Sequence, residues 1–441
     1  MAERTSERTR LGKTLRQVRT WSLRGWTAIA DQGVYSGSNF LLNILLARWL
    51  LAQDYGAFSV GFTGFLLVLG LYTALVLEPM SVLGPARHRE HLAPYLRRLL
   101  GIHFGLALTS SIVICVLALV LFATGSPVAT SILSLGAALP FILLLLFFRQ
   151  ACYLETRPER ALAGSLLYAI ALLLGLLVLR SAGWTSSYSG FLILAMASLA
   201  GSLVTWGLLG RQISGLNAAG PPLRWSDVIA EHWGYGKWIM VASIAHGVGN
   251  LLYLPLIGAF DGLGEAGALR AMQNLLVPLQ QIQAALYLLL LPWIAKKRAE
   301  NGNRYVREAL PRVTGLNILL SGVYLAGVLH FGRRIVTLLY GNAPYEGYAW
   351  LIPFLAGAAL IIALGQPLSL VLRAHERPSA IMWSKLGAAL FACSVGLLLI
   401  WKWGLLGGAV SLIISALMEG IVMLQQVRRL WRETAHGQSI G

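Results

Sequence analysis

The sequence predicts an all-α polytopic membrane protein of about twelve transmembrane helices arranged in two six-helix lobes. Three observations predict it. Apolar stretches long enough to cross hydrocarbon recur about twelve times, lysines and arginines crowd every second gap between them, and short motifs of the first half return in the second. A helix needs about 20 apolar residues to span a bilayer core, and basic bias in short gaps reports which side each gap faces.

The chain opens with a basic arm, residues 1–25, in which Leu11, Leu15, Val18 and Trp21 fall at helical spacing. The arm is too long and too charged for a signal-peptide leader, and the apolar run behind it is of spanning length. It is expected to form an amphipathic helix on the inner leaflet, attracted to anionic lipid. Spans follow at 26–50, 57–81, 99–123, 127–149, 161–180 and 187–209, making an N-terminal lobe over 26–210. A linker over 211–236 leads to spans at 237–259, 268–292, 312–331, 345–372, 380–400 and 403–427. These make a C-terminal lobe over 237–427, followed by a tail over 428–441.

An even number of spans puts both termini on one side. The gaps on that side hold Arg87, Arg89, Arg97, Arg98, Arg157, Arg160, Arg211, Arg224, Lys296, Lys297, Arg298, Arg304, Arg307, Arg373 and Arg377, whereas the opposite gaps hold little beyond Arg333, Arg334 and Lys402. By the positive-inside rule the termini are expected in the cytoplasm.

The net charge of +17 is then a matter of topology and lipid attraction, and nucleic-acid binding, which needs a basic soluble face, is excluded. The longest polar gap, near 210–236, is too short to bury a catalytic core. Cys115, Cys152 and Cys393 are odd in number and scattered among apolar segments, which suggests neither a disulfide framework nor a metal site. No cofactor is expected.

Asn39, Asp54, Gly56 and Ala57 have counterparts Asn250, Glu265, Gly267 and Ala268, each 211 residues later. A second echo pairs Arg157–Pro158 with Arg377–Pro378, each before the fifth span of its half. Lobes of six spans share an orientation, so a pseudo-two-fold axis along the membrane normal is expected, with a central cleft between lobes that can rock.

Polar side chains are costly in hydrocarbon, and their helical phase marks protected faces. Gln32, Ser36, Asn39 and Asn43 line one face of the first span; Ser243, His246, Asn250 and Tyr253 line one face of the seventh. The eighth carries Arg270, Asn274 and Gln281 on a common face, with Gln273 and Gln280 beside it, and Pro278 interrupts its ladder. Single amides in membranes commonly serve as interhelical glue, but three phased stripes favour a hydrated cavity. Arg270 is the candidate anion contact, and Asn39, Asn43, Asn250, Asn274, Gln273, Gln281 and His246 are the candidate substrate contacts. Charges in or near spans also include Asp31, Arg48, Glu78, Arg180, Lys237 and Glu419. Asp31 and Glu78 share the terminal side with Arg24 and Lys237, and together these four are the candidate gate or coupling groups.

ADQGVYSGSNFLLNILLARWL followed by AQDYGAF, and the later GEAGALRAMQNLLVPLQQI, resemble the bacterial polysaccharide exporters of the MOP flippase superfamily, over nearly the whole chain. The resemblance implies a MATE-like fold and an O-antigen-type activity without covalent chemistry: moving polyprenyl-pyrophosphate-linked oligosaccharide from the cytoplasmic to the outer leaflet, in company with polysaccharide assembly proteins. Of the cationic cavity it implies, Arg270, Arg24 and Lys237 are the matching positions. Amides would replace the water of the sugar hydroxyls, and arginine would hold the pyrophosphate by charge-assisted hydrogen bonds. The alternative is an ion-coupled multidrug or metabolite antiporter on the same fold, which for a cationic drug needs an acidic cavity.

Overall fold

A computed structural model describes the backbone of residues 2–213, 223–341, 344–375 and 377–437; side chains before Gly25, at 210–213, after Glu433 and at scattered positions, most of them within 285–301, lie outside the described residues. The described chain is almost wholly helical. Twelve long helices follow one another: α1 Ala2–Trp49, α2 Ala52–Arg87, α3 Leu92–Ala123, α4 Ala129–Leu154, α5 Pro158–Ser181, α6 Ser187–Ile213, α7 Trp225–Phe260, α8 263–301, α9 Gly302–Tyr340, α10 Glu346–Ala374, α11 378–403 and α12 405–437. Gly302 (φ 72°) and Gly404 (φ 52°) adopt left-handed backbone conformations that end one helix and start the next.

Nine stretches of the described residues are long and apolar enough to cross a membrane, one of them running through both α11 and α12. α1 is left out of this set because Gln32, Asn39 and Asn43 lower its hydropathy. The basic arm is helical and joins the first span without a break; the side chains of Leu11, Leu15, Val18 and Trp21 lie outside the described residues. The linker expected over 211–236 is helical from Trp225 onward.

The two lobes repeat one packing pattern. In each, the first helix packs on the fifth, the third on the fourth, the fourth on the sixth and the fifth on the sixth. The turns before α5 and α11 match in detail. Arg157 (φ −121°, ψ 65°) and Arg377 (φ −109°, ψ 64°) hold nearly the same conformation, each ahead of a proline at the first helical position. Their amides reach back to Cys152 O at 2.9 Å and Leu372 O at 3.0 Å. Burial pushes the Glu155 carboxyl of the first turn up, against the pull of Arg160 beside it.

We call the side bearing the termini the terminal face and the other the distal face. On the distal face α2 and α8 cross in backbone contact. A Cβ on Gly56 would lie 1.7 Å from Leu263 O, and one on Gly267 would lie 2.6 Å from Ala52 O. The repeat exchanges the two contacts, Leu263 lying 211 residues after Ala52 and Gly267 the same distance after Gly56, so this crossing lies on the pseudo-two-fold axis and needs glycine from both halves.

Four of the described helices are irregular, α11 through a π-helical turn at Ala392–Gly396. α7 breaks at Leu251–Leu252, just before Pro255, and α8 breaks at Leu275–Leu276, where Pro278 opens the next segment and its missing N–H costs nothing. α2 carries a π-helical turn at Thr73–Leu77, and there α7 comes so close that a Cβ on Gly236 would lie 2.4 Å from Ala74 O. The first turns of α7, although part of the C-terminal half, dock on the N-terminal lobe. His88 and Arg87 meet Glu231 at 2.8 and 3.4 Å, Tyr95 meets His232 at 2.8 Å, and Arg98 donates to Leu223 O at 2.9 Å.

Gly56→Ala is expected to cost about 1–3 kcal/mol by overpacking the crossing. Gly105→Ala, with open space around its Cα, is expected to be neutral or slightly stabilising. Thermal unfolding in detergent distinguishes the two; equal melting temperatures would contradict the crossing.

Candidate substrate cleft

The three polar stripes share one gradient. On α1, Gln32 is exposed, Ser36 and Asn39 are half-buried, and Asn43 is buried. On α7, His246 is exposed, Asn250 half-buried and Tyr253 buried. On α8, Gln280 and Gln281 are exposed, Gln273 is half-buried, and Asn274 is buried. The exposed members of the stripes thus lie toward the terminal end, beyond which Ser243 is half-buried, and the buried ones toward the distal end, where Arg270 stays half-buried, as in a cleft open at the terminal face and narrowed at the distal one.

The seal is aromatic. Tyr55 of α2 accepts a hydrogen bond from Asn274 Nδ2 at 2.9 Å, and its ring lies 6.2 Å from that of Tyr345, which lies 5.3 Å from Tyr340. Tyr340 donates to Ala271 O at 2.7 Å. Arg270 sits under this layer, its guanidinium 5.1 Å from the centre of the Phe62 ring, a cation–π contact. It has no acidic partner among the described residues, and its Nε has no hydrogen-bond partner.

The N-terminal lobe holds a buried charge pair. Asp31, 0% exposed, meets Arg149 Nη2 of α4 at 2.9 Å and accepts a hydrogen bond from Tyr153. Arg149 also donates to Gln32 Oε1 at 3.3 Å and lies 4.0 Å over the Tyr35 ring. Tyr35 stacks toward Tyr168 of α5, which donates to Asn39 Oδ1 at 2.9 Å. The C-terminal lobe has its own pair, on its fifth and sixth helices rather than its first and fourth: Lys385 of α11 meets Glu419 of α12 at 2.8 Å and His246 of α7 at 3.2 Å. Lys385, Glu419, Gln366, Ser369 and Arg373 line a cavity of about 100 Å³ inside this lobe.

These positions revise the expected pairings. Asp31 is matched to Arg149 rather than to Arg24 or Lys237, because burial demands a partner within the lobe; the Arg24 side chain lies outside the described residues. Glu78 forms no ion pair with Lys237, and the positive charge acting on it is that of Arg373, across the cleft at the terminal end of α10. Lys237 lies instead 5.5 Å from the Trp238 ring. Asn39 and Asn43 donate to the backbone of α1 at Tyr35 O and Asn39 O, and Asn250 donates to His246 O. Asn274 ties α8 to α2. Asn39 and Asn274 thus act as glue between helices, Asn43 and Asn250 bond within their own, and Gln32, Gln280, Gln281 and His246 are left as the accessible polar groups of the stripes.

Arg149, Lys385, Arg373 and the tyrosine layer were not among the candidates drawn from sequence. Lys385 was legible: like Glu419 it is a charge inside a span, and two opposite charges in neighbouring spans predict each other.

The fold and cleft define a polytopic helical membrane protein of two six-helix lobes. No protein-family model matches the sequence, and no curated protein is significantly similar to it. Solved structures with this fold are MOP-superfamily transporters. An inward-facing multidrug-resistance MATE transporter aligns at TM-score 0.73 with 12% identity, covering 92% of this chain and 99% of that one. A MOP-superfamily transporter from Pyrococcus furiosus Vc1, described by a binding pocket of reversed polarity, aligns at 0.67 with 13% identity over 92% and 94%. The lipid II flippase MurJ, in an inward closed conformation, aligns at 0.64 with 13% identity over 91% and 87%.

Arg149→Gln is expected to destabilise the protein by about 3–5 kcal/mol, since it leaves the Asp31 carboxylate buried and unpaired. The double variant Asp31→Asn, Arg149→Gln is expected to recover most of the loss. A double-mutant cycle of unfolding free energies checks this, and additive losses would contradict the pairing.

Proposed function

We propose that the protein flips polyprenyl-pyrophosphate-linked oligosaccharide from the cytoplasmic to the outer leaflet of a bacterial inner membrane, by alternating access, for cell-surface polysaccharide assembly. The terminal face is the cytoplasmic one on this reading, in keeping with its arginines and lysines. One observation carries the proposal: the two carboxylates deepest in the lobes are each matched to a base, Asp31 to Arg149 and Glu419 to Lys385, whereas Arg270 has no acidic partner. The cleft therefore closes on an unmatched positive charge, which suits an anionic headgroup.

Gln32, Gln280 and Gln281 offer donors and acceptors to sugar hydroxyls that could not enter hydrocarbon bare. The polyprenyl tail stays in lipid between the lobes. Two negative charges leaving a cell interior at −100 mV gain about 4–5 kcal/mol, so the membrane potential alone can drive export. A cationic-drug antiporter, the other function hosted by this fold, needs an unpaired acid facing the cleft; Asp31 and Glu419 are both committed, and Glu78, at the terminal end, faces the positive charge of Arg373.

The test is leaflet transfer of a fluorescent polyprenyl-pyrophosphate oligosaccharide in proteoliposomes under an imposed potential. Arg270→Gln is expected to slow transfer about tenfold, the worth of one lost charge-assisted hydrogen bond. Absence of transfer by the wild-type protein, together with cation efflux driven by an ion gradient, would overturn the reading.

A further inference from the structure

Above the tyrosine layer, on the distal face, lies an open recess of about 610 Å³ lined by Arg48, Arg333, Arg334, Thr337, Leu338 and Glu346. Its three guanidiniums come from both lobes: Arg48 ends α1, and Arg333 and Arg334 lie near the end of α9. One carboxylate answers them, Glu346, whose contact with Arg333 is 3.1 Å. Arg48 and Arg334 have no acidic partner among the described residues, so the recess is net positive. This is unusual placement, because the distal gaps are otherwise poor in basic residues. Leu338 on its wall and Leu51 nearby are each 76% exposed, which puts hydrocarbon beside the charges.

The recess adjoins the cleft. A Cβ on Gly341 would lie 3.6 Å from Arg48 Nε, and the preceding Tyr340 is bonded to Ala271 O, next to Arg270. The layer of Tyr55, Tyr340 and Tyr345 thus has Arg270 on one side and, beyond Gly341, Arg48 on the other.

We propose that the recess is a second anion site, for a phosphate-bearing lipid headgroup in the distal leaflet, where the pyrophosphate of the translocated carrier is received once the tyrosine layer parts. The receiving role rests on the proposed function; the phosphate site itself does not. Guanidiniums bind phosphate oxygens in bidentate fashion, and the neighbouring leucines accommodate a chain that remains in lipid. The same chemistry admits the headgroup of a resident anionic phospholipid.

The experiment places an environment-sensitive fluorophore on Leu338→Cys, with Cys393 replaced by serine, in the full-length protein in phosphatidylcholine nanodiscs, and titrates inorganic pyrophosphate. A saturable response is expected. The double variant Arg48→Gln, Arg334→Gln is expected to raise the half-saturating concentration at least about tenfold, and Glu346→Gln to lower it by about threefold. Arg270→Gln is expected to leave it unchanged. The gain with Glu346→Gln separates a binding role from a merely structural one, since a damaged fold does not bind more tightly. If phosphatidylglycerol in the nanodisc abolishes the pyrophosphate response, the site holds a resident phospholipid; if the response persists, it is available to the carrier. No saturable response, or one indifferent to the arginines, overturns the site. A site that binds pyrophosphate in a protein that flips no carrier removes the transport reading and leaves the site standing.

Discussion

The contact of α2 with α8 at Gly56 and Gly267 is the constraint on which the rest of the architecture depends. In hydrocarbon, helices gain nothing from hydrophobicity when they associate, and close backbone approach is what holds them. Here the approach lies on the pseudo-two-fold axis, with Leu263 O over one glycine and Ala52 O over the other. It brings Tyr55 beneath Tyr345 and beside Asn274, and so creates the aromatic seal. With the distal ends joined, the lobes can separate only toward the terminal face, and the polar stripes become accessible from that side.

Charge placement follows from the same geometry. A carboxylate shut inside a lobe needs a base within that lobe, and each lobe supplies one from a different helix: Asp31 of α1 with Arg149 of α4, Glu419 of α12 with Lys385 of α11. Arginines without an acidic partner among the described residues flank the seal: Arg270 below it, Arg48 and Arg334 above it. A path with matched walls and unmatched arginines at its two ends fits an anion that pauses at each end and is released by the opening of a tyrosine layer between them.

Much of this was legible in the sequence, because hydropathy and basic bias act locally and leave their mark in every segment. The helix count, the repeat of Asn39 and Gly56 in Asn250 and Gly267, and the break before Pro278 all follow from neighbouring residues. The meaning of the repeated glycine did not, since it lies in a contact between the two halves. Ion-pair partners were equally hidden: Asp31 finds Arg149 across 118 residues, and choosing between Arg24, Arg149 and Lys237 needs the helix neighbours. Glu78 facing Arg373 rather than Lys237 is the same failure, because α7 leans on α2 at Gly236 and carries Lys237 toward Trp238. The tyrosine layer left no pattern at all, its members coming from α2, the end of α9 and the loop beyond it.

The account stands or falls on whether the distal seal and the terminal opening exchange. Spin labels at Gln53 and Glu346 across the distal face, and at Val82 and Ser379 across the terminal face, in a background without native cysteines, measure both openings by double electron–electron resonance. With substrate and an imposed potential, the distal distance should lengthen while the terminal one shortens, and Gly56→Ala should shift the wild-type populations the same way. Distances that stay fixed, or lengthen together, would contradict a rocking pair of lobes joined at the glycine crossing.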